Sequence, residues 1–348
     1  MGTVDVRKLQ GSTESELCRD SGYFPVIVNP DGDQLLVVMR AGAGHVGISG
    51  RLEALRSQDG GRTWQPPITI VDSDVDDRNP AVGRALDRSV VLGYHEQASY
   101  LEDGTWAAEL EKVRMMVTRS GDGGATWEVP KELGIPEMKK HSAYGRIVTL
   151  DDGTMLMPIY GSDISSGGEA CCAYVGRSND HGVSWQAPSL IAEDYNETAL
   201  LVLLGGGLLA AMRSSGEGLL GVSRSFDSGM TWDNARAVTE SREHPADLTL
   251  LSNGWVLMVF GVRHEPFGVQ AMISKDEGVT WSERLVICDD LGESDLGYPS
   301  TVRVGDRLTT VYYSAPRIFG EPGFLGKGAV ARSLSYSESA LIEQMAGR

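Results

Sequence analysis

One short pattern occurs five times in this chain of 348 residues, and each copy reads Ser-x-Asp-x-Gly-x-(Thr/Ser)-Trp. Successive tryptophans of the pattern are 63, 58, 47 and 49 residues apart. A repeat at such a period indicates an array of similar structural units. Five of the seven tryptophans lie in the pattern, which makes chance a poor explanation. The copies occupy residues 57–64, 120–127, 178–185, 225–232 and 274–281.

Each copy has the residues of a tight hairpin turn. The Asp can accept bonds from backbone N–H groups, the Gly can adopt a positive φ, and the Trp ring can pack beside the next strand. A second turn, often Asp-Gly or Asn-Gly between apolar runs, recurs in the same frame, as in residues 147–159 and 248–260. Two hairpins in each of six units predict an all-β fold, a six-bladed β-propeller with four antiparallel strands per blade.

We expect residues 1–348 to form a single propeller domain, because no linker or low-complexity stretch interrupts the repeats. The last blade needs a fourth strand, and we expect the N-terminus around residues 4–9 to supply it, which would remove an open sheet edge. A C-terminal fourth strand is the alternative, but residues 339–344 have a more helical pattern.

Composition narrows the classes of partner. The net charge of −17 argues against nucleic acid and anionic membrane as partners. No apolar run approaches the length of a membrane span, and residues 1–20 lack the apolar core of a secretory signal, as expected for a cytoplasmic protein or a trimmed secreted form. No metal-ligand spacing or nucleotide-binding motif occurs, so we expect neither a metal nor a cofactor.

The loops that lead into the innermost strands of a propeller gather at one end of its central channel, where function is expected. Here those six entrances are rich in polar, aromatic and ionisable residues. They are residues 22–25, 76–80, 141–146, 195–198, 244–247 and 295–299. Second strands end at the same rim in Arg40, Arg213 and Arg263. Arginine forks suit carboxylates, so the rim is predicted to bind an acidic ligand.

The tryptophan turn resembles the Asp box of the sialidase (neuraminidase) superfamily, whose repeats are also called bacterial neuraminidase repeats, over residues 22–314. The resemblance is specific for the fold and says less about activity. It implies a glycosidase that releases a terminal sialic acid or related acidic sugar, with Tyr298 as nucleophile, Glu197 as its general base, and Arg213 and Arg263 as carboxylate ligands. A neutral phenol approaches the carboxylate-bearing anomeric carbon more easily than an anion does, and it needs a base beside it.

Two departures from the family pattern bear on this implied activity. Sialidases normally open the first blade with Arg-Ile-Pro, and this chain has Tyr23-Phe-Pro there. The candidates to replace the missing arginine are Arg19, Arg40 and Arg78, of which Arg78 is the best placed. The acid/base Asp is also absent from the loop at residues 40–50, so that either His45 takes over proton transfer, or Asp77 reaches in from the second blade, or the activity differs.

Further residues of the entrances are suited to contact a sugar. Hydrogen bonding and ring stacking are expected from Tyr23, His141, Tyr144 and His244, and Asp247 can bind a hydroxyl or act as an acid. Two other functions stay open. One is a propeller hydrolase or lyase for a uronic or deoxy sugar that uses His and Tyr in acid–base roles. The other is a non-catalytic glycan-binding propeller.

Overall fold

The computed structural model of the protein describes residues 3–110, 112–134, 138–163, 170–292, 295–318, 321 and 323–347. Within these ranges the strands form six sheets. The innermost strands of neighbouring sheets contact one another, and that of the last sheet contacts that of the first, which closes the ring. The fold is the six-bladed β-propeller that the repeat predicts.

The N-terminal half of the chain builds the first three blades, after a short segment with β1 (Val4–Asp5), a 3-10 turn (Val6–Lys8) and β2 (Thr13–Arg19). Blade 1 contains β3 (Tyr23–Val28), β4 (Leu35–Ala41), β5 (Arg51–Ser57) and β6 (Ile68–Val71). Blade 2 contains β7 (Asp76–Arg84), β8 (Val90–Gln97), a 3-10 turn (Ala108–Leu110), β9 (Val113–Ser120) and β10 (Lys131–Glu132). Blade 3 contains β11 (Met138–Ala143), β13 (Val148–Thr149), β14 (Met155–Asp163), β15 (Cys171–Ser178) and β16 (Gln186–Glu193), while β12 (Gly145–Arg146) pairs in parallel with β7.

The C-terminal half builds the remaining blades and ends in a helix. Blade 4 contains β17 (Tyr195–Val202), β18 (Leu208–Ser214), β19 (Leu220–Ser225) and β20 (Arg236–Ala237). Blade 5 contains β21 (Glu243–Leu250), β22 (Val256–Val262), β23 (Gly268–Ser274) and β24 (Leu285–Cys288). Blade 6 contains β25 (Asp295–Val304), β26 (Arg307–Ala315) and β27 (Val330–Ser337), and α1 (Glu338–Ala346) follows.

The N-terminus closes the ring, but not with the predicted segment. Strand β2 pairs antiparallel with β27 and is the fourth strand of blade 6, from Thr13↔Ser335 to Arg19↔Val330. The expected segment at residues 4–9 instead forms β1, which pairs in parallel with β24 of blade 5, and the 3-10 turn. The N-terminal segment therefore covers the outer edges of two neighbouring blades. Helix α1 includes residues 339–344, whose pattern predicts a helix.

The repeated tryptophan turns have the geometry that their residues predict. In the second copy, Asp122 Oδ1 accepts the Thr126 amide at 2.8 Å, and Asp122 Oδ2 accepts the Thr126 hydroxyl at 2.7 Å. Gly124 has φ +89°, and Trp127 Nε1 donates to its carbonyl at 3.3 Å. The bonds from Thr126 hold the pKa of Asp122 at about 2. The same carboxylate-centred turn recurs at Asp59, Asp180, Asp227 and Asp276.

Every innermost strand carries a β-bulge at its rim end. There the innermost strand advances by three residues while its neighbour advances by two. The shifts lie between Tyr23/Val26, Arg78/Ala81, Lys139/Ser142, Tyr195/Thr198, Glu243/Ala246 and Gly297/Ser300. Bulges redirect side chains. Three bulged residues directly before a proline have a positive φ, namely Phe24 (54°), Asn79 (54°) and Tyr298 (46°). The bulges therefore set the direction of the side chains at the channel mouth, and both Glu197 and Tyr298 lie in one.

Candidate active site

Tyr298 and Glu197 meet across the channel, although they belong to different blades. Tyr298 Oη donates to Glu197 Oε1 at 2.5 Å. Arg213, from the end of β18, donates through Nη1 to Glu197 Oε2 at 2.8 Å. Glu197 is 5% exposed and Tyr298 is 3% exposed. A phenol, a carboxylate and a guanidinium thus form one hydrogen-bonded chain at the rim.

The electrostatics of this chain keep the phenol protonated and the carboxylate ionised. Burial alone would raise the pKa of Glu197, but the charge of Arg213 and the hydrogen bonds from Tyr298 and Arg213 lower it overall. Burial, followed by the negative charge of Glu197, raises the pKa of Tyr298 well above its ordinary value. The Tyr298 oxygen therefore becomes a strong nucleophile only as its proton moves to Glu197.

Cations and aromatic rings hold the Tyr298 ring in place. The Arg263 guanidinium lies 5.3 Å from the ring centroid and donates through Nη2 to the Leu296 carbonyl at 3.0 Å. Tyr144 meets the ring edge-on at a centroid distance of 4.9 Å, and Phe24 lies 4.7 Å away. Gly297 precedes Tyr298 with φ +92°, and a Cβ there would come within 2.8 Å of the Gly261 Cα. Close packing of the backbone thus supports the strained conformation of Tyr298.

His45 is held by a carboxylate at the same rim. Its Nδ1 lies 3.0 Å from Asp295 Oδ1, which also accepts the Tyr313 hydroxyl at 2.6 Å. Burial lowers the pKa of His45, Asp295 opposes that shift, and the charges of Arg78 and Arg263 add to it. The pKa of Asp295 is itself low because the His45 and Tyr313 bonds outweigh the effect of burial. An ionised Asp295 selects the His45 tautomer that carries its proton on Nδ1.

Two adjoining cavities open at the rim, and His45 lines both of them. The first has a volume of about 300 Å³ and the second about 310 Å³. Besides His45, the first is lined by Arg213, Arg242, His244, Arg263, Asp295, Tyr298, Arg317 and Ile318. The second includes Arg78, Asn79, His95, Trp106, Ser142 and Tyr160. Of the predicted site residues, His45, Arg78, Arg213, His244, Arg263 and Tyr298 therefore line cavities at this rim, and Glu197 and Tyr144 contact Tyr298 directly.

Arg40 was predicted as a substrate ligand, and the structure corrects this prediction. Its side chain is 0% exposed, and Nε and Nη2 both donate to Asp76 Oδ1, at 2.9 and 2.6 Å. Nη1 donates to the carbonyls of Ala43 and Gly44, and Nη2 also donates to that of Gly47. All guanidinium nitrogens are thus used to anchor the loop that carries His45.

Asp77 was the alternative proton donor, and the structure directs it away from the cavities. Adjacent strand residues point to opposite faces, so Asp76 and Arg78 share one face, with Arg78 Nη1 3.6 Å from Asp76 Oδ2. Asp77 points to the other face and accepts the Ser73 amide and hydroxyl at 2.8 and 2.9 Å. Burial raises its pKa to about 6, but its oxygens serve the local turn. Of the two proposed acids, only His45 lines the cavities.

Other predicted ligands also lie outside the two cavities. Tyr23 is 0% exposed and its ring packs 5.2 Å from that of Tyr313. Asp247 is 4% exposed, bonds Arg146 Nε at 2.9 Å and accepts the Thr301 amide at 2.7 Å, so it ties three blades together. His141 is half-buried and lines neither cavity. Arg19 pairs with Glu16 at 2.5 Å on the outermost strand of blade 6, far along the sheet from the channel.

Several residues at the rim were not selected from the sequence. Asp295 lies three positions before Tyr298 in the same entrance, and Arg242 lies two positions before the fifth entrance, so their positions in the repeated frame were available signals. Arg317 lies just after the second strand of blade 6, near the same end at which Arg213 and Arg263 lie in their own blades. His95 bonds the Ser142 hydroxyl at 2.6 Å, and burial followed by the charge of Arg78 lowers its pKa.

Among the described residues, one cluster of metal-type ligands occurs. Glu240, Glu243 and His264 bring ligand atoms within 4.8 Å of one another. Glu243 already accepts Arg284 Nη2 at 2.7 Å and the Glu240 amide at 2.7 Å. An arginine thus neutralises the buried carboxylate of this cluster, which fits a structural ion pair better than a cation site. None of the helices in the described ranges is long and apolar enough to cross a bilayer.

Comparison with known families matches residues 72–312 to the BNR repeat-like domain. The chain belongs to this family. This BNR repeat-like protein is 23% identical over 294 residues to a sialidase of Bacteroides fragilis (strain YCH46), which is 75% of this chain and 53% of that sialidase. The chain therefore spans about half the length of this curated relative. The predicted resemblance to the sialidase superfamily is confirmed.

Solved structures show the same fold at low identity. A Dyadobacter fermentans DSM 18053 protein of unknown function is 23% identical, with a TM-score of 0.78, and the match covers 94% of this chain and all of that one. Trypanosoma rangeli sialidase in complex with sialic acid is 15% identical with a TM-score of 0.71, and the match covers 96% of this chain and 60% of that one. These similarities show that this BNR repeat-like protein has the propeller fold. A shared fold does not determine the reaction, which depends on the residues of the site.

Proposed function

We propose that this propeller is an exo-acting glycoside hydrolase that releases a terminal sialic acid or a related acidic sugar. The observation that carries the proposal is the 2.5 Å contact between Tyr298 Oη and Glu197 Oε1, with Arg213 on the other carboxylate oxygen. A buried, protonated phenol bonded to an ionised carboxylate is the arrangement that activates a tyrosine nucleophile. Arg213 and Arg263 beside it supply charge for a substrate carboxylate.

The first chemical step forms a bond between Tyr298 Oη and the anomeric carbon and breaks the glycosidic bond. The phenol proton moves to Glu197, and the leaving oxygen takes a proton from His45. In the second step water attacks the anomeric carbon and the bond from that carbon to Tyr298 Oη breaks. His45 accepts a proton from the water, and Glu197 returns its proton to the departing Tyr298 Oη. Two displacements at one carbon retain its configuration.

His45 is the acid/base in this proposal because it lines both cavities and Asp295 orients its ring. Burial and neighbouring arginines lower its pKa in the free protein. A bound carboxylate offsets the charge of Arg263 and so raises the pKa of His45 in the complex, which favours the protonated form required for the first step.

A second function rests on the same histidine. A neutral His45 can remove the proton next to a uronic-acid carboxylate while Arg213 and Arg263 neutralise that carboxylate, and Tyr298 can protonate the leaving oxygen. This is an elimination, and its product absorbs ultraviolet light because it holds an alkene conjugated to the carboxylate.

A panel of chromogenic glycosides separates these functions. It contains a sialoside, a uronic-acid disaccharide whose linking oxygen is on the carbon next to the one that loses the proton, and neutral sugars. Each is assayed with the unmodified chain, Tyr298→Phe, Glu197→Gln and His45→Ala. The proposal predicts sialoside cleavage that falls about 10²–10⁴-fold in Glu197→Gln and Tyr298→Phe. Cleavage of the uronide alone with a rise in ultraviolet absorbance supports elimination. Binding without any cleavage would leave a glycan-binding propeller.

A further inference from the structure

The first cavity has more positive charge than one carboxylate requires. Its arginines come from blade 4, the connection to blade 5, blade 5 and blade 6, and are Arg213, Arg242, Arg263 and Arg317. Among the described residues, the carboxylates in contact with this cavity or its arginines are Glu197 and Asp295. Four guanidinium groups against two carboxylates leave two positive charges, in a chain whose net charge is −17.

Two of these arginines are committed to the reacting centre. Arg213 bonds Glu197 at 2.8 Å, and Arg263 lies over the Tyr298 ring while it bonds the Leu296 carbonyl. A substrate carboxylate next to the anomeric carbon would lie against this pair. One anionic group therefore accounts for one of the two surplus charges.

The other two arginines line the outer part of the same cavity. Arg242 and Arg317 are exposed, and neither forms an ion pair with a carboxylate of the described residues. Arg242 has a left-handed backbone, with φ +66°, and its carbonyl accepts the Arg263 amide at 3.0 Å. This link fixes the backbone of Arg242 beside that of Arg263, and Arg317 lines the same cavity from blade 6.

A buried polar group near three of these arginines also points to a ligand. His244 lines the cavity and is 5% exposed, and its Nδ1 has no hydrogen-bond partner among the described residues. Burial, followed by the charges of Arg263, Arg213 and Arg242, lowers the pKa of His244, so the imidazole is neutral. An unpaired buried polar atom costs free energy that a bound polar ligand can recover.

We propose that the first cavity binds a substrate with two anionic groups, one at Arg213 and Arg263 and the second at Arg242 and Arg317. The proposal rests on the proposed function for the placement of the first carboxylate. The second group is a carboxylate on the adjoining sugar, as in a chain of acidic sugars, or a sulfate ester on the released sugar itself. Both sources place an oxyanion on the same two guanidinium groups.

The test compares probes that differ in the number and place of their anionic groups. The monoacid is sialic acid linked to lactose, the diacid is a disaccharide of two sialic acids, and the third probe is the monoacid with a sulfate ester on its sialic acid. Titration calorimetry is done on the Tyr298→Phe background so that no probe is consumed. Arg242→Gln/Arg317→Gln is compared with Arg62→Gln/Arg88→Gln, which removes the same charge from exposed arginines outside the cavity.

The proposal predicts that the diacid or the sulfated probe binds at least about tenfold more tightly than the monoacid. Arg242→Gln/Arg317→Gln removes this preference and changes monoacid binding less than about twofold, whereas Arg62→Gln/Arg88→Gln preserves it. Preference for the diacid assigns the second group to the adjoining sugar, and preference for the sulfated probe assigns it to the released sugar.

Equal affinity for all probes, or an equal loss for all of them in Arg242→Gln/Arg317→Gln, would overturn the inference, as would absence of binding. Turnover by the unmodified chain separates this result from the proposed hydrolysis. Cleavage of the monoacid without any preference keeps the hydrolase and rejects the second anion site. A retained preference with no cleavage keeps the anion sites and rejects the hydrolase.

Discussion

Arg40 offers a prediction about stability whose size follows from its contacts. Its guanidinium forms a fully buried pair with Asp76 and bonds three carbonyls of the His45 loop. In Arg40→Leu the new side chain fills part of the volume, but the three carbonyls lose their donor. Asp76 then keeps the hydrogen bond from Tyr100 Oη at 2.6 Å and the ion pair with Arg78 at 3.6 Å. Breaking a buried ion pair by removing one partner costs about 3–5 kcal/mol.

The loss of unfolding free energy divided by the unfolding entropy gives the expected shift in melting temperature. Unfolding entropy of about 2.1 cal/mol/K per residue gives about 0.7 kcal/mol/K for 348 residues. Arg40→Leu is therefore expected to lower the melting temperature by about 4–7 °C. Differential scanning calorimetry measures the shift, and Arg62→Leu, at an exposed arginine of the first tryptophan turn, is the control expected to change it by less than about 1 °C.

The catalytic rate of Arg40→Leu is a second readout. Because Arg40 anchors the backbone on both sides of His45, Arg40→Leu should lower the catalytic rate of molecules that remain folded at assay temperature. A melting temperature within about 1 °C of that of the unmodified chain would refute the claim that this pair supports the loop. A large shift with full activity would show that the pair stabilises the blade without positioning His45.

Three further predictions concern proton transfer and the repeated turns. If protonated His45 is the acid, kcat/KM, which reports the free protein, is highest below the lowered pKa of His45 and falls as pH rises through that pKa. The alkaline limb of the kcat/KM profile therefore lies below 6.5, and it disappears in His45→Ala with an activated leaving group that needs no acid. Asp295→Asn removes the charge that raises the pKa of His45, so that limb moves to lower pH; an unmoved limb would exclude the pairing as its cause. Asp122→Ala removes the acceptor of a whole turn and is expected to cost about 1 kcal/mol in thermal melts at pH 7. The unmodified chain should lose that contribution as pH falls from about 4 towards the lowered pKa of about 2, and equal stability of the two chains at pH 7 would contradict the role of the turn.

The repeated frame explains which site residues were predictable. Glu197 and Tyr298 each directly precede the apolar run of an innermost strand, so six entrances aligned on those runs place both at one rim. Arg213 and Arg263 come at the ends of second strands, at the same rim. For these four, position in the repeat determines position in space, because each blade repeats the same path.

The predicted residues whose side chains lie outside the cavities have a different explanation. Asp77 differs from Arg78 only by strand alternation, and the bulge that sets the alternation at the rim has no clear signature in sequence. Arg40 and Asp247 look like site residues by position, but each is neutralised by a partner in another blade, as Asp247 is by Arg146, 101 residues away. The ring-closing strand was misplaced because β1 and β2 lie in one polar N-terminal segment and only their pairing with blades 5 and 6 distinguishes them.

The central claim is that Tyr298 bonds covalently to the sugar while Glu197 takes its proton. The direct measurement treats the chain with a sialyl fluoride that carries a second fluorine beside the anomeric carbon, which slows release of the sugar, and locates the adduct by mass spectrometry of peptides. The account predicts one added sugar on the peptide that contains Tyr298 and none in Tyr298→Phe. An adduct on another residue, or turnover of a sialoside with no adduct at all, would contradict it.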